Sequence, residues 1–176
     1  MKTLVVYTSQ TGYTKMYAEK LAERLQADCF TVEELKKKED SFFDSYEAIV
    51  FGGWAMAGKV VKAEWLLGKA SAWKGKKLAI FCVGATPVDS PLVEQAMAKV
   101  VPDELKDSVG VFYCPGGLNY DKMKLPSRMM MKAYASMLAK KKDQTEDDKK
   151  MAEMVATSYD ISDVKYLDPI VEYIEK

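Results

Sequence analysis

"YTSQTGYT", residues 7–14, follows directly on the apolar run Leu4-Val5-Val6 and places four hydroxyls, Thr8, Ser9, Thr11 and Thr14, around Gly12. From Tyr7 onward no lysine or arginine appears until Lys15. The run reads as a first strand. From Thr14 to Leu25, Met16-Tyr17, Leu21 and Leu25 recur near helical spacing with charges between them. Where a buried strand hands over to a helix, unpaired backbone N–H groups and the positive end of the helix dipole face the turn. The hydroxyls of Ser9, Thr11 and Thr14 add neutral donors there, and Gly12 lets the backbone approach a ligand. The plainer alternative is a helix cap enriched in hydroxyls. The stretch lacks the Gly-Lys-Ser/Thr ending of the P-loop and the GxGxxG of dinucleotide folds. A nucleoside triphosphate asks for a lysine and a magnesium carboxylate. One monoester phosphate held by neutral donors therefore suits it best.

Outward from this loop, short apolar runs alternate with amphipathic stretches. Cys29-Phe30-Thr31-Val32 is a weak second strand, and Ala48-Ile49-Val50-Phe51 a buried third that ends in Gly52-Gly53. A helix containing Val60-Val61, Trp65 and Leu66-Leu67 is expected next. Lys77 to Val83 forms the fourth strand, ended by Gly84. Ser90-Pro91 opens a helix reaching about Val101, with proline at the first helical position. Val109 to Cys114 is the fifth strand, and Asp168 to Glu175 a closing helix. This alternation predicts an α/β fold, a doubly wound parallel sheet with helices on both faces. The 176 residues are expected to form one domain. An insertion at about 115–162 interrupts the pattern with a Gly-Gly loop, a basic Met-rich helix and a polar, acid-containing stretch, and no strand is expected in it.

Composition narrows the function. Lys plus Arg (26) balances Asp plus Glu (26), so no global field favours nucleic acid, and no basic patch interleaved with aromatics appears. No stretch is apolar enough to span a bilayer and no signal-peptide pattern opens the chain. Cys29, Cys82 and Cys114 form no CxxC and are expected as reduced, buried residues of a cytoplasmic protein. The chain has no histidine, which excludes Ser-His-Asp and Cys-His hydrolases and disfavours a zinc site; no metal is expected. Any chemistry then falls to a bound cofactor.

Ser9, Thr11, Gly12 and Thr14 fit the Ser/Thr-x-Thr-Gly-x-Thr phosphate loop of the flavodoxin family, which the chain resembles over nearly its whole length; Tyr13 stands where many members have asparagine. The resemblance implies a five-stranded sheet of order 2-1-3-4-5 and FMN as cofactor, its phosphate held by Ser9, Gln10, Thr11, Gly12, Tyr13 and Thr14. It further implies that the loop after the third strand, through Gly53, Trp54, Ala55 and Met56, lies against the flavin ring. There Gly52, Gly53 and Gly58 are expected to let the backbone turn, and a carbonyl near Gly53–Trp54 to accept from the ring. Trp54 packed on a neighbouring helix is the alternative. Val83, Gly84 and Ala85 of "CVGATP" converge on the same crevice, since open parallel sheets bind ligands beyond their strands' carboxyl ends.

In the insertion, Gly116-Gly117, Tyr120, Arg128 and the helix after them resemble the protoporphyrinogen oxidase branch of flavodoxin-like proteins, which passes electrons from a porphyrinogen to menaquinone through FMN, and Asn119 and Tyr120 are expected to touch the cofactor. That implies an oxidoreductase of the porphyrinogen or quinone type. A soluble electron carrier to a protein partner and a non-redox binder of a phosphate ligand are the alternatives. Residues 122–142 hold seven basic residues (122, 124, 128, 132, 140, 141, 142) and no acid. The helix at about 125–142 either packs one apolar face on the sheet or lies on an anionic membrane surface, giving a peripheral location at its inner face.

Overall fold

The computed structural model describes residues 1–176. Five parallel strands, β1 (Thr3–Tyr7), β2 (Asp28–Thr31), β3 (Ala48–Met56), β4 (Lys77–Gly84) and β5 (Val109–Pro115), lie in the order β2-β1-β3-β4-β5. The expected order 2-1-3-4-5 is the observed one. Lys59–Val60 adds a sixth, antiparallel strand that pairs only with the end of β3.

Burial on both faces explains the apolar runs. On one face Leu4, Val6, Ile49, Phe51, Leu78 and Ile80 pack under α2 (Val32–Leu35), α3 (Glu64–Ala70) and α4 (Pro91–Met97). Phe43, Trp65 and Trp73 complete that layer in edge-on and tilted contacts. On the other face Val5, Val50, Ala79, Phe81 and Val83 pack under α1 (Tyr13–Leu25) and α7 (Asp168–Glu175). Because the order reverses between β1 and β3, a crevice opens at their carboxyl ends.

Several boundaries differ from the sequence reading. β3 does not end at Gly52-Gly53 but runs on to Met56. A Cβ on Gly52 would sit 2.1 Å from Phe81 Cζ, and one on Gly53 2.6 Å from the Val61 carbonyl oxygen. These glycines admit neighbouring groups into the sheet rather than turn the chain. The turn lies at Ala57-Gly58, both with positive φ (49° and 76°), in a two-residue hairpin that pairs Met56 with Lys59. Val60 therefore belongs to a strand, and α3 starts only at Glu64. α4 stops at Met97, and Cys29, on the edge strand β2, is half-buried while Cys82 and Cys114 are fully buried.

The insertion contains two short strands, Gly117–Leu118 and Tyr159–Asp160, paired antiparallel. Between them α5 (Leu125–Ala139) and α6 (Glu146–Val155) pack on each other around Leu118, Leu138 and Val155, a small core separate from the two sheet cores. α6 starts where a polar stretch was expected: the Thr145 hydroxyl accepts from Asp148 N at 3.1 Å and the Asp148 carboxylate from Thr145 N at 3.0 Å, a capping box. No helix is long and apolar enough to cross a membrane.

Candidate functional site

β1 ends at Tyr7, and the Thr8 amide is tied to the Gly52 carbonyl at 2.9 Å, which fixes the base of the loop between β1 and β3. Ser9 Oγ accepts from the Gly12 amide at 3.2 Å, and Gly12, with φ 103°, turns the chain into α1. An L side chain strains that conformation. The amides of Ser9, Gln10, Thr11, Tyr13, Thr14 and Lys15 have no acceptor within the protein. Thr14 is only 2% exposed and lines the adjoining cavity, into which its hydroxyl, with no protein hydrogen bond, stays open to solvent. Unsatisfied N–H groups, a free hydroxyl and a helix start, with no cation, form a donor set that fits a phosphate ester.

The cavity, about 120 Å³ and partly open to solvent, lies where the three loops meet. Of the residues anticipated from sequence, Gln10, Thr11, Tyr13, Thr14, Trp54, Ala55, Met56, Val83, Gly84 and Ala85 line it. Ser9, Gly12, Gly53, Asn119 and Tyr120 do not. Ser9 and Gly12 shape the loop behind it, and Gly53 lies under the hairpin. Asn119 Oδ1 accepts from the Lys122 amide at 3.0 Å, while the Tyr120 hydroxyl donates to the Val155 carbonyl at 2.6 Å and so holds α6. The Trp54 carbonyl accepts from Val61 N at 3.0 Å, so it is held in the hairpin rather than free to swing toward a ligand.

The insertion supplies residues that sequence reasoning missed. Gly117, Leu118, Met123, Ser127, Met130 and Met131 line the cavity. With Trp54 and Met56 they make its wall apolar and adaptable, as thioethers do. The α5 helix therefore does not lie on the sheet: one side closes the pocket and packs on α6. The lone sequence signal was the run Met129-Met130-Met131, which periodicity alone could not orient.

Tyrosine hydroxyls fasten the rim. Tyr159 donates to the Ala85 carbonyl at 2.5 Å, Tyr13 to the Tyr159 carbonyl at 3.0 Å, and Tyr113 to the Thr86 carbonyl at 2.7 Å. Tyr17 donates to the Pro115 carbonyl at 2.5 Å and accepts from Asp163 N at 3.0 Å. Burial pushes the Tyr159, Tyr17 and Tyr113 hydroxyls well above the ordinary tyrosine range, so they stay protonated donors. Burial also pushes the Cys82 thiol up to about 12, which leaves it inert.

The family profile described as flavodoxin domain matches residues 4–145. The chain belongs to the flavodoxin domain family. Membership agrees with the FMN expected from the phosphate loop. Similar solved structures include a flavoprotein in complex with FMN from Lactobacillus acidophilus NCFM, 17% identical, with a TM-score of 0.46 over 65% of this chain and 91% of that one. A flavodoxin, WrbA-like protein from Agrobacterium tumefaciens is 16% identical, with a TM-score of 0.44 over 88% and 97%. Rubredoxin oxygen:oxidoreductase from Desulfovibrio gigas is 15% identical, with a TM-score of 0.44 over 88% of this chain and 35% of that one. A comparison with curated proteins gives no match.

Proposed function

We propose that this flavodoxin-domain protein is an FMN-dependent oxidoreductase of the cytoplasm, its residues 1–176 working as one domain. The observation that carries the reading is the one cavity joining the cation-free donor loop at 9–14 to an apolar chamber beyond β3 and β4. In this reading the loop amides and the hydroxyls of Thr11 and Thr14 hold the phosphate. The Trp54-Ala55-Met56 strand end and the Val83-Gly84-Ala85 turn receive the ring. When bound, FMN supplies the electron transfer; the chain binds it, orients it and keeps water from it.

The methionines of the insertion favour an enzyme over a carrier. Met123, Met130 and Met131 stand over the chamber, where a carrier would leave the ring edge open to a protein partner. A largely apolar redox partner, of the porphyrinogen or quinone class, suits a wall of thioethers and an indole. The visible spectrum tests the cofactor. Purified protein should be yellow or gain bound-flavin absorbance on titration with FMN, with riboflavin bound far more weakly. A colourless protein that takes up no FMN refutes the reading. To separate enzyme from carrier, anaerobically reduced holoprotein is offered a menaquinone analogue. Reoxidation by small one-electron carrier proteins alone would favour the carrier.

A further inference from the structure

Turned toward the pocket and α6, α5 buries Leu138 and half-buries Met131 and Ala135. Its opposite side is where a water-facing helix ordinarily carries charge. Here that side is apolar. Leu125, Met129, Ala133 and Met137, four residues apart, form one ridge, and Leu125, Met129 and Met137 are 68%, 63% and 61% exposed. Met130 and Tyr134 widen the ridge toward the cavity mouth.

The charges around the ridge have one sign. Lys122, Lys124, Arg128, Lys132, Lys140, Lys141 and Lys142 stand beside it or at its ends, with no acid between Asp121 and Asp143. Only Lys141 is paired, to Asp148 at 2.6 Å. The chain is neutral overall, so this face carries a local excess of positive charge. We infer that the outer face of α5 docks on an anionic lipid surface, with the Leu125–Met137 ridge in the acyl boundary and the unpaired lysines among the headgroups.

The arrangement separates this occupant from the others. A second copy would oppose the lysines to their own kind. An acidic protein partner would meet charges only at the margins of an uncharged ridge. A shallowly inserted helix wants that pattern: an apolar strip below, cations at its sides and ends. Docking needs no cofactor. It does deepen the FMN reading, because Met130 lines the cavity and is still 45% exposed beside the ridge, so the pocket mouth would open toward the lipid.

The test is co-sedimentation of the full chain with vesicles of phosphatidylglycerol and phosphatidylcholine, against phosphatidylcholine alone, at low and high salt. Binding is expected only with the anionic vesicles and should weaken with salt. Lys132→Glu should lower the partition roughly fivefold or more, since a basic residue near such a surface is worth about that factor. Met129→Glu with Met137→Glu should abolish it, while Leu92→Glu, on exposed α4 surface, should leave it unchanged. Circular dichroism checks that each variant folds. No sedimentation of the wild type, sedimentation unaffected by the double variant, or self-association of the wild type that the double variant abolishes would overturn the inference. FMN titration of the same preparations reads the cofactor site separately: vesicle binding without FMN binding retains the docking and removes the FMN reading.

Discussion

Replacing Thr14 by valine keeps the shape of the side chain and removes only its hydroxyl. Thr14 is 2% exposed, and its hydroxyl has no protein partner but keeps contact with solvent through the cavity. Its removal breaks no bond in the free chain and should change the stability by no more than about 0.5 kcal/mol. For a chain of this size that shifts Tm by roughly 2 °C or less. With FMN the effect is larger. A hydrogen bond to a charged phosphate is worth roughly 1.5–3 kcal/mol, so Thr14→Val should weaken FMN about tenfold to a hundredfold. Quenching of flavin fluorescence gives the affinity, and thermal unfolding with and without FMN gives the stability. Riboflavin, which has no phosphate, should bind wild type and variant alike. The reasoning fails if the variant destabilises the free chain by more than about 0.5 kcal/mol, or if it loses FMN and riboflavin in equal measure, since Thr14 would then support packing rather than phosphate.

Gly52→Ala would push a methyl to 2.1 Å from Phe81 Cζ, and this overpacking should cost about 1–3 kcal/mol in urea unfolding, with partial rescue by Phe81→Leu. Tyr159→Phe removes the bond to the Ala85 carbonyl; amide exchange should quicken in the Gly117–Leu118 pairing and in α5 and α6, with the sheet strands unaffected. Asp148 is held down to about 2 by its bonds to the Lys141 ammonium and then to the Thr145 backbone, against an ordinary value of about 3.8. A folded-state value below the unfolded one stabilises above the unfolded value and is lost as pH falls through the folded one. The start of α6 should therefore loosen between about pH 4 and pH 2, read by its exchange rates, and Asp148→Asn should loosen it already at neutral pH.

Strands with both faces buried announce themselves as unbroken apolar runs, which is why β1, β3, β4 and β5 were legible; their order came only from the family resemblance, and α7 matches residue for residue. Gly52-Gly53 misled because glycine punctuates a one-dimensional reading, whereas here the Phe81 ring, 29 residues away, fills the space of the missing Gly52 side chain. The pairing of Gly117–Leu118 with Tyr159–Asp160 was equally hidden, since each strand is two residues long and the partners lie some forty apart. α6 did leave a signal, Thr145-x-x-Asp148, a capping-box pattern inside a segment that reads as merely polar. The phosphate loop was legible because its chemistry is local. The methionines over the cavity were not, because α5 is apolar on opposite sides and periodicity cannot tell which side faces the protein.

That two-sidedness follows from how the pocket is built. The sheet cores do not extend under α5 and α6, whose own core is three fully buried side chains with their half-buried neighbours. What joins this small body to the sheet near the cavity is mostly polar: Tyr13 and Tyr159 to backbone carbonyls, the Lys124 amide to Gln10 Oε1 at 3.4 Å, and the Gly116 amide to the Gly84 carbonyl at 2.7 Å. Hydrogen bonds of this kind are individually modest in net worth and strict in geometry, whereas an apolar interface is the reverse. The cavity wall is thus set in position by tyrosine hydroxyls whose donors persist across the working pH range, and not by burial of α5. Because little apolar surface is committed to that joint, the outer ridge of α5 is left free, and the same helix can face the cofactor chamber with Met130 and Met131 and the surroundings with Met129 and Met137.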